Sequence, residues 1–107
     1  MNDRRPYALL QLRELVHGIH DLPGFDTSEF CSFAVRLDPQ ETRLPIDRSA
    51  ETLLLVVEGS LTVVWCGTTR VSTELGEGDT ASTNHPAVEV LLAGSEGATF
   101  LALVSRS

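Results

Sequence analysis

The feature that most constrains the fold of this chain is the recurrence of turn residues about every ten positions after residue 24. The segments between the turns are short and rich in Val, Leu, Thr and Phe, which favour extended backbone. Short strands in regular succession are typical of a β-sandwich or β-barrel rather than of alternating strands and helices. The sequence therefore predicts an all-β domain. The predicted strands are Glu29–Leu37, Thr52–Val57, Ser60–Trp65, Arg70–Leu75, Thr80–Thr83, Val88–Leu92 and Thr99–Val104.

The N-terminal segment has a different pattern. Its apolar residues are spaced closer to 3.6 than to 2, and Pro6 suits a first helical turn. This spacing predicts a short amphipathic helix from Pro6 to about His20. The alternative is an irregular arm with a short strand at Ala8 to Leu12. The apolar positions are Leu9, Leu12, Leu15, Val16 and Ile19.

The length of the chain indicates one domain. With 107 residues, of which 42% are hydrophobic, it is large enough to bury a core without metal or disulfide support. We expect residues 1–28 to form an arm or helix that packs on a barrel made by residues 29–107. Cys31 and Cys66 lack the spacing of a disulfide framework or a zinc site, which predicts free, packed thiols.

Charge argues against two classes of partner. The net charge is −7, and the eight basic residues are spread from Arg4 to Arg106 rather than gathered on one face. Such a chain repels nucleic acid and anionic membranes. No apolar run is long enough to cross a bilayer, and the first residues lack a signal-peptide core, so a cytoplasmic protein is expected.

All eight basic residues are arginine, and the chain has no lysine. Schiff-base formation and general-base catalysis by lysine need an amine that loses its proton, which a guanidinium does not do. Both mechanisms are therefore excluded.

The run from Leu53 to Val57 is apolar on both faces of its predicted strand. Successive side chains of a strand point in opposite directions, so one face lines the interior and the other needs a cover. The candidates for this cover are the edge of a second sheet, the N-terminal segment or another subunit. Because isologous dimers are the commonest oligomers, we predict a homodimer.

The order of these parts from Arg36 to Ser105, roughly two thirds of the chain, resembles the cupins. A strand ends at Asp38-Pro39, a loop leads into Leu53–Val57, Glu58-Gly59 follows, and Gly76-Glu77-Gly78-Asp79 precedes two apolar strands. The resemblance implies a double-stranded β-helix, or jelly-roll barrel, around a central cavity.

In cupins the first motif carries two histidines and a glutamate that bind a metal, and the second carries a third histidine. Counting back from Gly59 places the glutamate position at Thr52, and counting on from Gly78 places the third histidine at Glu89. The two histidine positions fall at Ile46 and Arg48, or at Pro45 and Asp47 with the longer spacing. The resemblance therefore implies a barrel that has lost its metal ligands, so no metal and no cofactor is expected.

The residues at these positions predict a ligand-binding site instead. A charge at Glu89 on an inner wall must be paired, protonated or hydrated, and Arg48 is its natural partner. We therefore predict that Arg48 pairs with Glu89 or with a bound anion. His85 lies four positions before Glu89. The predicted ligand-binding residues are Arg48, Glu51, Thr52, His85 and Glu89.

A carboxylate-rich site for magnesium or manganese is the alternative, made by Asp47, Glu51 and Glu89, with or without His85. His17 and His20 lie three apart, which places them near one another on a helix. Two histidines without a third ligand make a poor metal site, so surface or packing roles are expected. Trp65 and Phe33 are predicted to fill the core.

Three functions follow from these observations. The leading one is a metal-independent barrel that holds a small polar or anionic molecule, with no catalytic residue assigned. The second is a cupin-like enzyme, either a metal-dependent dioxygenase or isomerase, or a metal-free one in which Glu89 or His85 is the general base. The third is a sensor or regulatory subunit that acts through a partner protein.

Overall fold

A computed structural model describes residue 12 and residues 15–46, 50–66, 70–82 and 88–106. These residues form seven strands and a short 3-10 turn at Pro23–Phe25. No helix in this part of the chain is long and apolar enough to span a membrane. The strands are β1 (Gly18–Asp21), β2 (Phe30–Leu37), β3 (Thr42–Arg43), β4 (Thr52–Cys66), β5 (Arg70–Leu75), β6 (Thr80–Ser82) and β7 (Val88–Ser105).

All the strands pair antiparallel, in the order β1-β2-β7-β4-β5. Strand β3 pairs with β7, and β6 pairs with β4. The long strands β4 and β7 run side by side from the Thr52–Val104 pair to the Trp65–Val88 pair. The predicted all-β fold class is confirmed.

Two pairs of predicted strands are in fact single strands. Thr52–Val57 and Ser60–Trp65 both belong to β4, and Val88–Leu92 and Thr99–Val104 both belong to β7. The segment from Gly94 to Gly97, which separates two of the predicted strands, is an excursion within β7. Between the Gly59–Ala98 pair and the Leu61–Ala93 pair, β7 has four residues and β4 has one, Ser60.

Two glycines make this excursion possible. Gly59 and Gly97 have φ angles of 79° and 81°, a region that side chains avoid. A Cβ atom on Gly59 would collide with the carbonyl oxygen of Gly97, and one on Gly97 would lie 2.6 Å from the Leu37 carbonyl oxygen. Both glycines are therefore required by the close approach of three backbones.

The turn at Gly76-Glu77-Gly78-Asp79 is tied to β4 by its backbone. Gly78 N–H donates to the Val56 carbonyl at 2.8 Å, and Val56 N–H donates to the Asp79 carbonyl at 3.0 Å. The Asp79 carboxylate accepts a hydrogen bond from Gly76 N–H. The Gly-Asp pair that carries the cupin resemblance is thus a structural turn.

One apolar cluster fills the interior, and both halves of β4 and β7 contribute to it. The sheet therefore curls so that its two ends share a core. Phe33 and Trp65 pack against this cluster, as predicted. Its buried members are Val35, Leu37, Leu54, Val56, Leu61, Val63, Leu75, Leu91, Ala93, Ala98, Phe100 and Ala102.

The N-terminal helix prediction is wrong at its end, because residues 18–20 belong to strand β1. This strand pairs with β2, and Ile19 packs against the core. Hydrogen bonds to β2 and the burial of Ile19 therefore favour a strand here, although the helical spacing of the apolar residues predicts a helix. Leu12 lies in a 3-10 turn, and the remaining positions of the predicted helix before Leu15 lie outside the described residues.

Candidate functional site

A cavity opens on the inner face of the barrel between β4, β7 and the segment that joins β3 to β4. Its volume is about 10 Å³, which is room for one water molecule. A larger ligand must therefore displace side chains of the wall. The lining residues are Pro45, Ile46, Thr52, Leu54, Leu91, Phe100 and Ala102.

The side chains that line this cavity are apolar except for Thr52. The Thr52 residue is buried, and its hydroxyl donates to the Ala50 carbonyl oxygen at 3.4 Å. A charged group placed against this described wall would lose its hydrating water and would gain no ionic partner from the wall in exchange. The wall thus suits the apolar part of a ligand.

The predicted site residues fall into two groups. Thr52 lies in the cavity wall, whereas Glu51 is exposed and does not line the cavity. The Glu51 backbone carbonyl accepts a hydrogen bond from Ser105 N–H, which fixes the start of β4 beside the end of β7. The structure thus brings one of these two residues to the cavity and leaves the other at the surface.

The other predicted residues lie outside the described part of the structure. Arg48 and His85 are not described, and neither is Asp47 of the carboxylate-rich alternative. The backbone of Glu89 belongs to β7, two residues before the cavity residue Leu91, but its side chain is not described. The Arg48–Glu89 pair remains a prediction.

The chemistry of the wall does not fit the metal that the cupin motif implies. Pro45 and Ile46, at two of the motif positions, carry no ligand atom, and Thr52 offers a hydroxyl in place of a carboxylate. A transition ion in such a barrel needs imidazole and carboxylate ligands at fixed angles. The described wall therefore does not offer the ligands that an interior transition ion needs.

The outer face of the same strands is also apolar. Leu53 pairs with Leu103 and Leu55 with Leu101, so four leucines lie side by side. Leu53 is 42% exposed, and the other three are half-buried. We call these four residues the leucine patch. Beside it lies a groove to which Leu22, Phe25, Ser32, Leu101 and Leu103 contribute.

A polar row borders the leucine patch on the outer face. Arg36 of β2 and Glu58 of β4 both pair with Thr99 of β7. Arg36 Nη1 lies 3.1 Å from Glu58 Oε1 and donates to the Thr99 hydroxyl at 2.7 Å. The row satisfies the buried Thr99 hydroxyl and marks the boundary of the apolar surface.

The two N-terminal histidines have separate partners. His20 Nε2 donates to the Val16 carbonyl at 2.8 Å, and His17 Nε2 donates to Glu41 Oε1 at 2.7 Å. Sequence spacing gave no signal for the second contact, because Glu41 is 24 residues away. The contact between His17 and Glu41 depends on the pairing of β1 with β2.

No protein-family model matches the sequence, and no curated protein matches it. Solved structures of other proteins resemble the fold, and three of them illustrate the likeness. A cupin superfamily protein from Desulfitobacterium hafniense aligns with 100% of this chain and 95% of its own, with a TM-score of 0.67 and 16% identity. KdgF from Halomonas aligns with 100% of this chain and 93% of its own, with a TM-score of 0.66 and 18% identity.

Oxalate decarboxylase from Bacillus subtilis is the third, with a TM-score of 0.64 and 23% identity over 72% of this chain. The chain spans only 21% of the length of that enzyme. At these identities the likeness is one of fold and carries no activity with it. The chain has the cupin fold that its sequence motifs predict.

Proposed function

We propose that this protein is a small-molecule-binding barrel whose interior works without a metal. Its ligand has a short apolar body and a polar or weakly anionic head. The apolar cavity beside Thr52 supports this proposal most directly, because it lies where the cupin motif places its ligating groups. The body of the ligand occupies the wall made by Leu54, Leu91 and Phe100.

The proposed ligand is larger than the cavity, so the wall must open to admit it. Ile46 lies in the irregular segment between β3 and β4 and is half-buried, so it moves outward at lower cost than a strand residue. A ligand with a body of about four carbons buries on the order of 100 Å², which contributes about 2.5 kcal/mol. A millimolar dissociation constant needs about 4 kcal/mol.

Apolar contact alone is therefore insufficient, and the head group must contribute. Arg48 is the predicted partner for an anionic head, since a guanidinium binds a carboxylate through two parallel hydrogen bonds. Glu51, His85 and Glu89 are the predicted groups for a polar head. The proposal thus divides the site into an apolar wall, which the structure describes, and a polar rim, which the sequence predicts.

Titration with butyrate tests this division. We expect saturable binding to the full-length protein, and at least about a tenfold loss of affinity in Arg48→Gln. Arg106→Gln is the matched control, because Arg106 bonds to the Thr27 carbonyl and lies beside Asp26, away from the cavity. Equal loss in the two variants, or no binding by the parent protein, contradicts the proposal.

We also propose that a second copy of the chain covers the leucine patch. Exposed apolar patches of several hundred Å² mark interaction sites in soluble proteins. The patch is built on a regular pair of strands, so two copies related by a twofold axis bring the same leucines together. Phe25, which is 40% exposed beside the patch, extends the apolar area.

A further inference from the structure

A histidine and two carboxylates converge at a corner of the sheet, and none of the three lines the cavity. His17 immediately precedes β1, while Asp38 and Glu41 lie at the two ends of the turn between β2 and β3. His17 Nε2 is 2.7 Å from Glu41 Oε1 and 4.0 Å from Asp38 Oδ2. The three ligand atoms all lie within 4.8 Å of one another.

The backbone holds both carboxylates in place. Glu41 N–H donates to the Asp38 carbonyl at 3.1 Å, and Gln40 in this turn has a φ of 65°. The turn is fastened to β7 at the start of the excursion, since Gln40 N–H donates to the Gly94 carbonyl and Ala93 N–H donates to the Glu41 carbonyl. The two side chains therefore project from a fixed corner.

The third member is placed by strand pairing. Gly18, the residue after His17, pairs with Arg36 of β2, only two residues before Asp38. This pairing of the flanking residues brings the imidazole to the carboxylates. The His17 and Asp38 side chains are 50% and 69% exposed, so an ion reaches them from solvent and both side chains have room to rotate.

The charge at this corner suits a cation. The backbone N–H of Asp38 donates to the Glu41 carboxylate at 2.8 Å, which helps to hold this carboxylate beside His17. The two carboxylates give this corner a negative potential that favours a cation. One imidazole with two carboxylates is a donor set that zinc accepts.

We propose that His17 Nε2, Asp38 Oδ2 and Glu41 Oε1 form a three-ligand zinc site, completed by water. Zinc binds these ligands at about 2.0–2.2 Å, which sets ligand atoms roughly 3.3 Å apart. The contact of His17 with Glu41 must open slightly, and Asp38 must move closer. The neutral imidazole then carries its proton on Nδ1 rather than on Nε2, and no proton leaves the protein.

The site is independent of the interior cavity, because it shares no residue with the cavity wall. Its occupation ties the segment before β1 to the turn between β2 and β3. Zinc binding to the folded state thus stabilises the sheet edge by mass action. The expected signature is a melting temperature that rises with zinc concentration.

Isothermal titration of the full-length, chelator-treated protein with zinc chloride at pH 7.5 tests the proposal. We expect one zinc per chain, with a dissociation constant on the order of micromolar for an exposed three-ligand site. His17→Ala and, separately, Asp38→Asn should each weaken binding at least about tenfold. Asp38→Asn keeps the test valid if the histidine variant folds poorly.

His20→Ala is the matched control, because His20 bonds only to the Val16 carbonyl in the described hydrogen bonds and is not among the three ligands. It should bind zinc as the parent does. Zinc binding of unchanged affinity in both ligand variants would overturn the proposal, as would no binding at a concentration of about 100 micromolar. Neither result bears on butyrate binding in the barrel.

Discussion

Strands β4 and β7 present apolar residues on both faces, yet the two faces differ in what covers them. On the inner face Leu54, Phe100 and Ala102 are at most 2% exposed. On the outer face the leucine patch has the same residue type at neighbouring positions, and Leu53 is 42% exposed. Composition alone does not separate the two faces.

The two faces differ in exposure because the sheet curls. Burial at the inner face is complete because both ends of the long strands turn toward one core, whereas the outer face is covered at its edge by the segment around Leu22 and Phe25. The inner face should therefore govern folding stability. The outer face should govern association.

Truncation of the inner face should have the largest effect. Phe100→Ala removes a side chain that is 1% exposed and should lower the free energy of unfolding by about 3–5 kcal/mol. Urea denaturation measures this loss. The control is Phe25→Ala, whose side chain is 40% exposed and should cost under about 1 kcal/mol. Similar costs for the two variants would remove the distinction between the faces.

Removal of the glycine at the curl should come next. Gly59→Ala combines a positive φ with a backbone collision and should cost at least about 2 kcal/mol. Gly78→Ala is the matched control, because its φ is 84° but nothing lies within 4 Å of the added Cβ. It should cost about 1 kcal/mol. Thermal denaturation of both variants shows whether the backbone collision or the positive φ angle makes the larger contribution to the loss of stability.

A charge on the leucine patch should affect association more than folding. Leu53→Arg should convert the proposed dimer to a monomer in sedimentation experiments, with a change of under about 1 kcal/mol in the unfolding free energy of the monomer. Leu54→Ala, on the opposite face of the same strand, should cost about 2–5 kcal/mol and leave the dimer interface intact. A parent protein that sediments as a monomer at all concentrations would refute the dimer.

The polar row should give the smallest effect. The side chains of Arg36 and Glu58 are 27% and 43% exposed, so solvent screens their attraction. A double-mutant cycle with Arg36→Met and Glu58→Gln should yield a coupling of about 0.5–1 kcal/mol. A coupling of several kcal/mol would mean that the row, and not the core, fixes the register of the outer face.

Sequence reasoning predicted the strands where local signals and tertiary structure agree. Strand β5 has the predicted bounds, and β2 begins one residue later than predicted. The prediction divided β4 at Gly59, because a glycine at positive φ serves both a turn and an excursion within a strand. Only the pairing of β4 with β7 distinguishes the two.

The same limit applies to the candidate sites. The motif spacing from Gly59 led to Thr52, which the structure places in the cavity wall. The contact between His17 and Glu41 had no counterpart in the sequence, because it requires β1 to be a strand and to pair in one register with β2. The helical spacing of residues 9–19 pointed away from that strand.

Methyl chemical shifts during a butyrate titration of the uniformly labelled protein test the central claim most directly, since they report on both faces at once. We predict saturable shifts of the Leu54 and Leu91 methyl groups, which line the cavity, with little change at Leu53 and Leu103 of the outer face. Shifts confined to the outer leucines, or none at either face, would contradict a ligand-binding interior.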